Sequence, residues 1–185
     1  MKRVTVESVD SATFGDGVER RCLGRELAST DVAINHYGVP SGERLAGLHA
    51  HDDQEELFVV LEGRVVFETL GSRVEVAAGE AARFPPGEFQ SCTNPDGAGG
   101  EAVVLALGAP RDSDDVRVPV CCPGCDRDEQ RPVLEDGEER LARPGCGAER
   151  KPACPDCGGA DLRVVLGDGG PVERCRECGT TTPAR

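Results

Sequence analysis

The chain has 185 residues, 38% of them hydrophobic, which is room for one ordinary domain with a modest core and a small appendage. Its net charge of −13, from 34 acidic against 21 basic residues, repels phosphate backbones and anionic lipid. With five Phe, one Tyr and no Trp there is little to stack bases on, so neither direct nucleic-acid binding nor a membrane role is expected.

Lysine occurs only at Lys2 and Lys151. An acid excess with so little lysine points to a halophilic chain from a high-salt cytoplasm, the alternative being an acidic protein of a GC-rich genome. No apolar stretch of signal-peptide length follows Met1-Lys2-Arg3, and the longest apolar run, from Ala102 to Leu107, is too short to cross a bilayer. A cytoplasmic location is therefore expected. There, ten cysteines argue for metal ligation in preference to disulfides.

In chain order, short β-type runs lie at 4–6, 32–39, 57–61, 64–69, 73–77, 81–84 and 102–107. Turn signals separate them, among them Asp16-Gly17, Glu62-Gly63, Ala78-Gly79 and Pro85-Pro86-Gly87. No stretch keeps a helical period, and many close-spaced strands predict an all-β sandwich or barrel over 1–112. The polar run 111–115 opens a linker expected over 113–120, after which the composition turns cysteine-rich.

His49-Ala50-His51 precedes an acidic cluster and a strand. Residues two apart on a strand share a face, so both imidazoles can converge on one ion. A carboxylate from the next strand completes two histidines and one carboxylate, a set that leaves positions open for water or substrate. Glu56 and Glu55 are the rival carboxylates, and adjacent strand residues face opposite ways.

The run Gly42, His49, His51, Glu56, Gly63 resembles the first motif of the cupin superfamily, and the stretch from Gly79 through Pro85-Pro86-Gly87 and Gln90 to Asn94 resembles the second. The resemblance covers about 30–110. It implies a cupin jelly-roll barrel with a divalent metal (Fe, Mn, Ni or Zn) held by His49, His51 and Glu56, and the spacing of the motif favours Glu56 over Glu55. It also implies a small-molecule ligand or substrate, and pairing of barrels into a homodimer through a sheet face. Two departures stand out: Gly42 lies one residue further from His49 than usual, and Gln90 stands where cupins usually supply a third histidine. A glutamine amide oxygen is a weaker donor than imidazole and completes the shell only loosely. His36 and Tyr37, on a strand that can line the same cavity, are candidate acid–base groups. Arg83 is a candidate for a substrate carboxylate, although a solvent-facing arginine is the simpler reading.

The tail contains a repeat at an offset of 32 residues: Cys122, Pro123, Cys125, Cys146 and Gly147 fall on Cys154, Pro155, Cys157, Cys178 and Gly179. The second copy, 151–185, has two CxxCG knuckles, Cys154–Cys157 and Cys175–Cys178, each offering two thiolates to one tetrahedral ion. This looks like a zinc ribbon, with rubredoxin-like iron as the alternative. In the first copy, 121–150, Arg143 falls on Cys175, leaving Cys122, Cys125 and Cys146 as a degenerate set, with Cys121 as a substitute only after a local shift.

Two functions compete. One is a metal-dependent oxygenase or isomerase acting on a small polar molecule. The other is a non-catalytic ligand-binding or regulatory protein whose ribbons dock a protein partner.

Overall fold

The computed structural model describes every residue except 16, 98, 126 and 185, so the first half of the turn expected at Asp16-Gly17 lies outside the described residues. The fold is all-β: a cupin-type jelly-roll barrel followed by two small cysteine ribbons. The barrel strands are β1 (Ser11–Phe14), β2 (Val18–Arg21), β3 (Ala33–Val39), β4 (Ala50–His51), β5 (Glu55–Glu62), β6 (Arg64–Thr69), β7 (Arg73–Ala77), β8 (Ala81–Phe84), β9 (Gln90–Thr93) and β10 (Ala102–Ala109). One sheet runs β1-β2-β3-β10-β5-β8 and faces a second of order β7-β6-β9. Segment 42–49 extends the second sheet through bridges from Arg44 to Thr93 and from His49 to Gln90.

The core follows from strand alternation. Along β10, Ala102, Val104 and Ala106 are buried while their neighbours are less so. They meet Val65, Phe67 and Cys92 from the opposite sheet in one cluster. Phe58, Phe67 and Phe84 pack with ring centroids 5.1–5.9 Å apart, each contributing about 1.5–3 kcal/mol by burial. Asn94 is fully buried and its amide donates to the carbonyls of Val39 (2.8 Å) and Gly100 (2.9 Å), pinning the turn after β9.

Several elements differ from expectation, among them β1, β2, β4 and β9, which no expected run covers. Residues 4–6 form no strand, because a β-branched run needs a partner edge; Val6–Ser8 is instead a single 3-10 turn. The helix α1 (Leu23–Leu27) is too short to show a period in sequence. The segment expected as a linker contains β11 (Val116–Arg117), which pairs with β4 at His51 and Ala50. Its charged residues are not solvent-facing ornaments: Arg117 contacts Asp52 at 3.7 Å and Glu129 at 3.5 Å, and also pairs with Asp115.

The tail holds β12 (Arg131–Glu135), β13 (Glu138–Arg143) and β14 (Ala148–Arg150), then β15 (Leu162–Gly167), β16 (Gly170–Cys175) and β17 (Thr181–Pro183). Each trio forms a three-stranded antiparallel sheet of the same order, which is the duplication in three dimensions. A second core, Leu48, Val120, Leu141 and Val164, joins barrel, connecting segment and both ribbons. There the Leu48 N–H donates to the Val164 carbonyl at 2.7 Å. A Cβ on Gly47 would stand 2.9 Å from Arg163 Cγ and 3.0 Å from the Val164 carbonyl oxygen, so only glycine permits this approach.

Candidate metal centres

The barrel centre is assembled by backbone pairing. His49 and Gln90 exchange both backbone hydrogen bonds, at 3.1 and 2.8 Å, which sets the histidine segment against β9. His51 lies on β4 and Glu56 on β5, and the ligand atoms of His49, His51 and Glu56 lie within 4.8 Å of one another. Each imidazole is oriented from behind. His49 Nδ1 donates to the Gly47 carbonyl at 2.8 Å. His51 Nδ1 lies 2.8 Å from Ser113 Oγ, whose hydroxyl donates to Asp53 at 2.6 Å. Both Nε2 atoms thereby face the site, that of His49 lying 3.5 Å from the Gln90 amide nitrogen, and the Nδ1 contacts follow the outer-shell pattern that fixes tautomer and ring plane in metal sites.

His51 Nε2 stands 3.8 Å from a Glu56 oxygen. Burial holds the His51 imidazole below its ordinary pKa, with His49 adding to this and Glu56 opposing it. A neutral imidazole is the form that ligates. Gln90, 2% exposed, donates its amide NH2 to Glu56 at 2.9 Å. As placed it steadies the carboxylate, and turning the amide over would present its oxygen to the same point. Glu55, on the opposite face of β5, is paired with Arg83 at 2.6 Å, so neither residue serves the centre.

The ligands open into a cavity of about 150 Å³ lined by Asn35, Tyr37, Gln54, Phe58 and Cys92 among others. Burial pushes the Tyr37 phenol up, with Arg20 beside it pulling the other way. Burial likewise drives the Cys92 thiol to about 12, an inert neutral group. His36 is not brought to this cavity: alternation along β3 sends it to the other face, where it stands opposite Arg21 and Leu105. There burial, then Arg21, holds its pKa down. Asp53 and Ser113, which hold His51, carry no motif, and Ser113 comes from the segment expected as a linker.

In the second ribbon the sulfurs of Cys154, Cys157, Cys175 and Cys178 lie within 4.8 Å of one another, with Cys154–Cys178 and Cys157–Cys175 both at 3.6 Å. A tetrahedral zinc with 2.3 Å bonds needs sulfurs about 3.8 Å apart, so the set fits such an ion. The knuckles are closed by Gly158 N–H to the Cys154 carbonyl and Gly179 N–H to the Cys175 carbonyl, both 2.9 Å. Hydrogen bonding to Thr180 lowers the Cys178 thiol to about 6, whereas Cys157, although the Gly159 N–H favours its thiolate, is raised to about 12 by its hydrogen bonds with Cys178 and Cys175. In the first ribbon Cys122, Cys125 and Cys146 gather in the same way, and Cys121 lies outside the group.

Residues 35–107 match the family model described as Cupin domain. Among solved structures, a putative sugar phosphate isomerase from Acidithiobacillus ferrooxidans is 24% identical with a TM-score of 0.55, over 68% of this chain and 76% of that one. The polyketide cyclase RemF from Streptomyces resistomycificus is 23% identical with a TM-score of 0.53, over 63% and 83%. A sugar phosphate isomerase of a cupin superfamily from Silicibacter pomeroyi is 17% identical with a TM-score of 0.52, over 98% and 97%, so its likeness runs through both ribbons. At these identities the likeness is one of fold. A search of curated proteins gave no match.

Proposed function

We propose that the barrel holds a divalent ion (iron, manganese, nickel or zinc) on His49, His51 and Glu56, and uses it to act on a small polar molecule, while the second ribbon holds a structural zinc. The observation that carries this reading is the convergence of three ligand atoms, the two imidazoles held from behind and the carboxylate by Gln90 within the site, at the wall of a polar-lined cavity. When bound, the ion supplies polarisation of a ligand oxygen. The protein's own groups do the rest: Ser113 and Asp53 hold His51, Gln90 steadies Glu56, and Tyr37 keeps a proton at its hydroxyl within the cavity. A protonated phenol facing a polarised carbonyl suits isomerisation better than oxygenation. The names carried by two proteins of similar fold make carbonyl-bearing polar molecules the first class to screen.

The second reading, a non-catalytic ligand-binding or regulatory protein whose ribbons dock a partner, draws support from Gln90, a neutral group where an imidazole would bind the ion more firmly. Protein purified without chelator is expected to carry one metal beyond its thiolate-bound zinc, and His49→Ala to lose that ion alone. Turnover of a carbonyl substrate by the loaded chain favours the enzyme. A wild-type chain holding only thiolate-bound metal overturns the barrel centre.

A further inference from the structure

The first ribbon brings together three thiols that no function above uses. Cys122, Cys125 and Cys146 are free, and Cys122 and Cys146 stand 3.6 Å apart, the same spacing as Cys154 and Cys178 in the complete copy. The fourth corner is also preserved in the backbone. Gly147 N–H donates to the Arg143 carbonyl at 2.9 Å, as Gly179 N–H does to the Cys175 carbonyl. Only the side chain differs, an arginine in place of a thiol.

Two further observations describe the surroundings of this cluster. The knuckle is packed onto its neighbours: a Cβ on Gly124 would lie 2.8 Å from Ala148 Cβ and 3.4 Å from Cys146 Sγ. The equivalent positions in the second ribbon are Asp156 and Thr180, joined by a 2.6 Å hydrogen bond, where the first ribbon packs a glycine against an alanine. The second observation is Arg143 itself. It is 7% exposed; its Nη1 is bound to Glu129 at 2.6 Å, but its Nε–H is buried with no hydrogen-bond partner among the described residues. Arg21, Arg140 and Arg150 share such an orphaned Nε–H, so what sets Arg143 apart is its place at the fourth corner. Its carbonyl also accepts from the Cys146 N–H at 3.2 Å, so its backbone adjoins the sulfur cluster.

We propose that Cys122, Cys125 and Cys146 bind a zinc-class ion through three thiolates and leave its fourth position to a small anionic ligand from solution, which Arg143 assists. Three protein ligands with one exchangeable position is how zinc sites open to chemistry are built, whereas four close the ion off. Three thiolates leave a zinc complex with a single negative charge. A further anion brings it to the charge of the four-thiolate site, and the adjacent guanidinium favours that step. The protein then carries two zinc-class sites of opposite character on one repeated scaffold. This inference is independent of the barrel centre.

The test uses the full chain with His49→Ala, which removes the barrel ion, stripped of metal under reducing conditions and loaded with cobalt(II). Two thiolate-bound cobalt ions per chain are expected, and added azide is expected to shift the visible bands of one. Cys146→Ser should lose the responsive ion and keep the inert one. Arg143→Cys should keep both ions and abolish the response, because the fourth corner is then closed by protein. A single thiolate-bound cobalt per chain in the parent, bands indifferent to azide, or a response that survives Arg143→Cys would overturn the proposal.

Discussion

The second ribbon closes four thiolates around one point, whereas the first answers the same strand plan with three thiolates and a buried guanidinium. The difference extends to how each is fastened to the barrel. The second docks through close backbone contact, the Leu48–Val164 hydrogen bond over Gly47. The first shares the Leu48 core through Leu141 and adds charge: Arg143 holds Glu129, and Glu129 contacts Arg117 of β11 at 3.5 Å, which reaches the barrel at Asp52. Where one copy has a thiol corner, the other has an ion-paired arginine. One duplicated unit can serve as a rigid clasp in one copy and as an adjustable joint in the other.

The sharpest way to break this comparison is Cys175→Ser. A structural zinc contributes on the order of 10 kcal/mol to so small a module, so the variant should lose its closed-site zinc and the protection of amides in β15–β17 against hydrogen exchange. It should also weaken metal at His49, because Leu48 and Gly47 lose their seat on Val164. Cys122→Ser is the control and should leave the barrel metal in place. Equal loss of barrel metal in both variants would erase the distinction between the copies.

A smaller effect is expected from Gly47→Ala. Its methyl group meets Arg163 and the Val164 carbonyl, an overpacking that costs about 1–3 kcal/mol, read as a lower melting temperature and faster exchange of β15 than of β12. Uniform loss across both ribbons would contradict separate fastenings. The smallest effect belongs to Glu129→Gln. Its carboxylate is 37% exposed, so its pairing contributes about 1 kcal/mol, and the loss should shrink as salt rises while both metal contents hold.

How far the sequence disclosed this molecule depended on the range of each interaction. His49 and His51 were legible because strand alternation alone puts them on one face; alternation also allowed only one of Glu55 and Glu56 to reach the ion, and the motif spacing to Gly63 singled out Glu56. The knuckles were legible because a tetrahedral ion demands paired cysteines at short spacing, and the repeat offset exposed Arg143 as a missing ligand. Tyr37 and His36 could not be told apart, since only the phase of β3 decides which faces the cavity. Ser113, Asp53 and β11 were illegible, because their partners lie about sixty residues away in the chain and a charged, polar segment carries no periodic signal. Glycine at 47 reads as an ordinary loop residue until the second ribbon is laid against it.

The seat of Leu48 bears on how such a protein can be divided. Leu48 is wholly buried, and what covers it comes from Val120, Leu141 and Val164 of the cysteine-bearing half. A barrel released by proteolysis before β11 would keep its own aromatic core yet bare an apolar face and an unanswered backbone N–H one residue from His49. The tail is thus part of the wall that keeps the histidine loop in shape, and a lineage could not shed it without repainting that face.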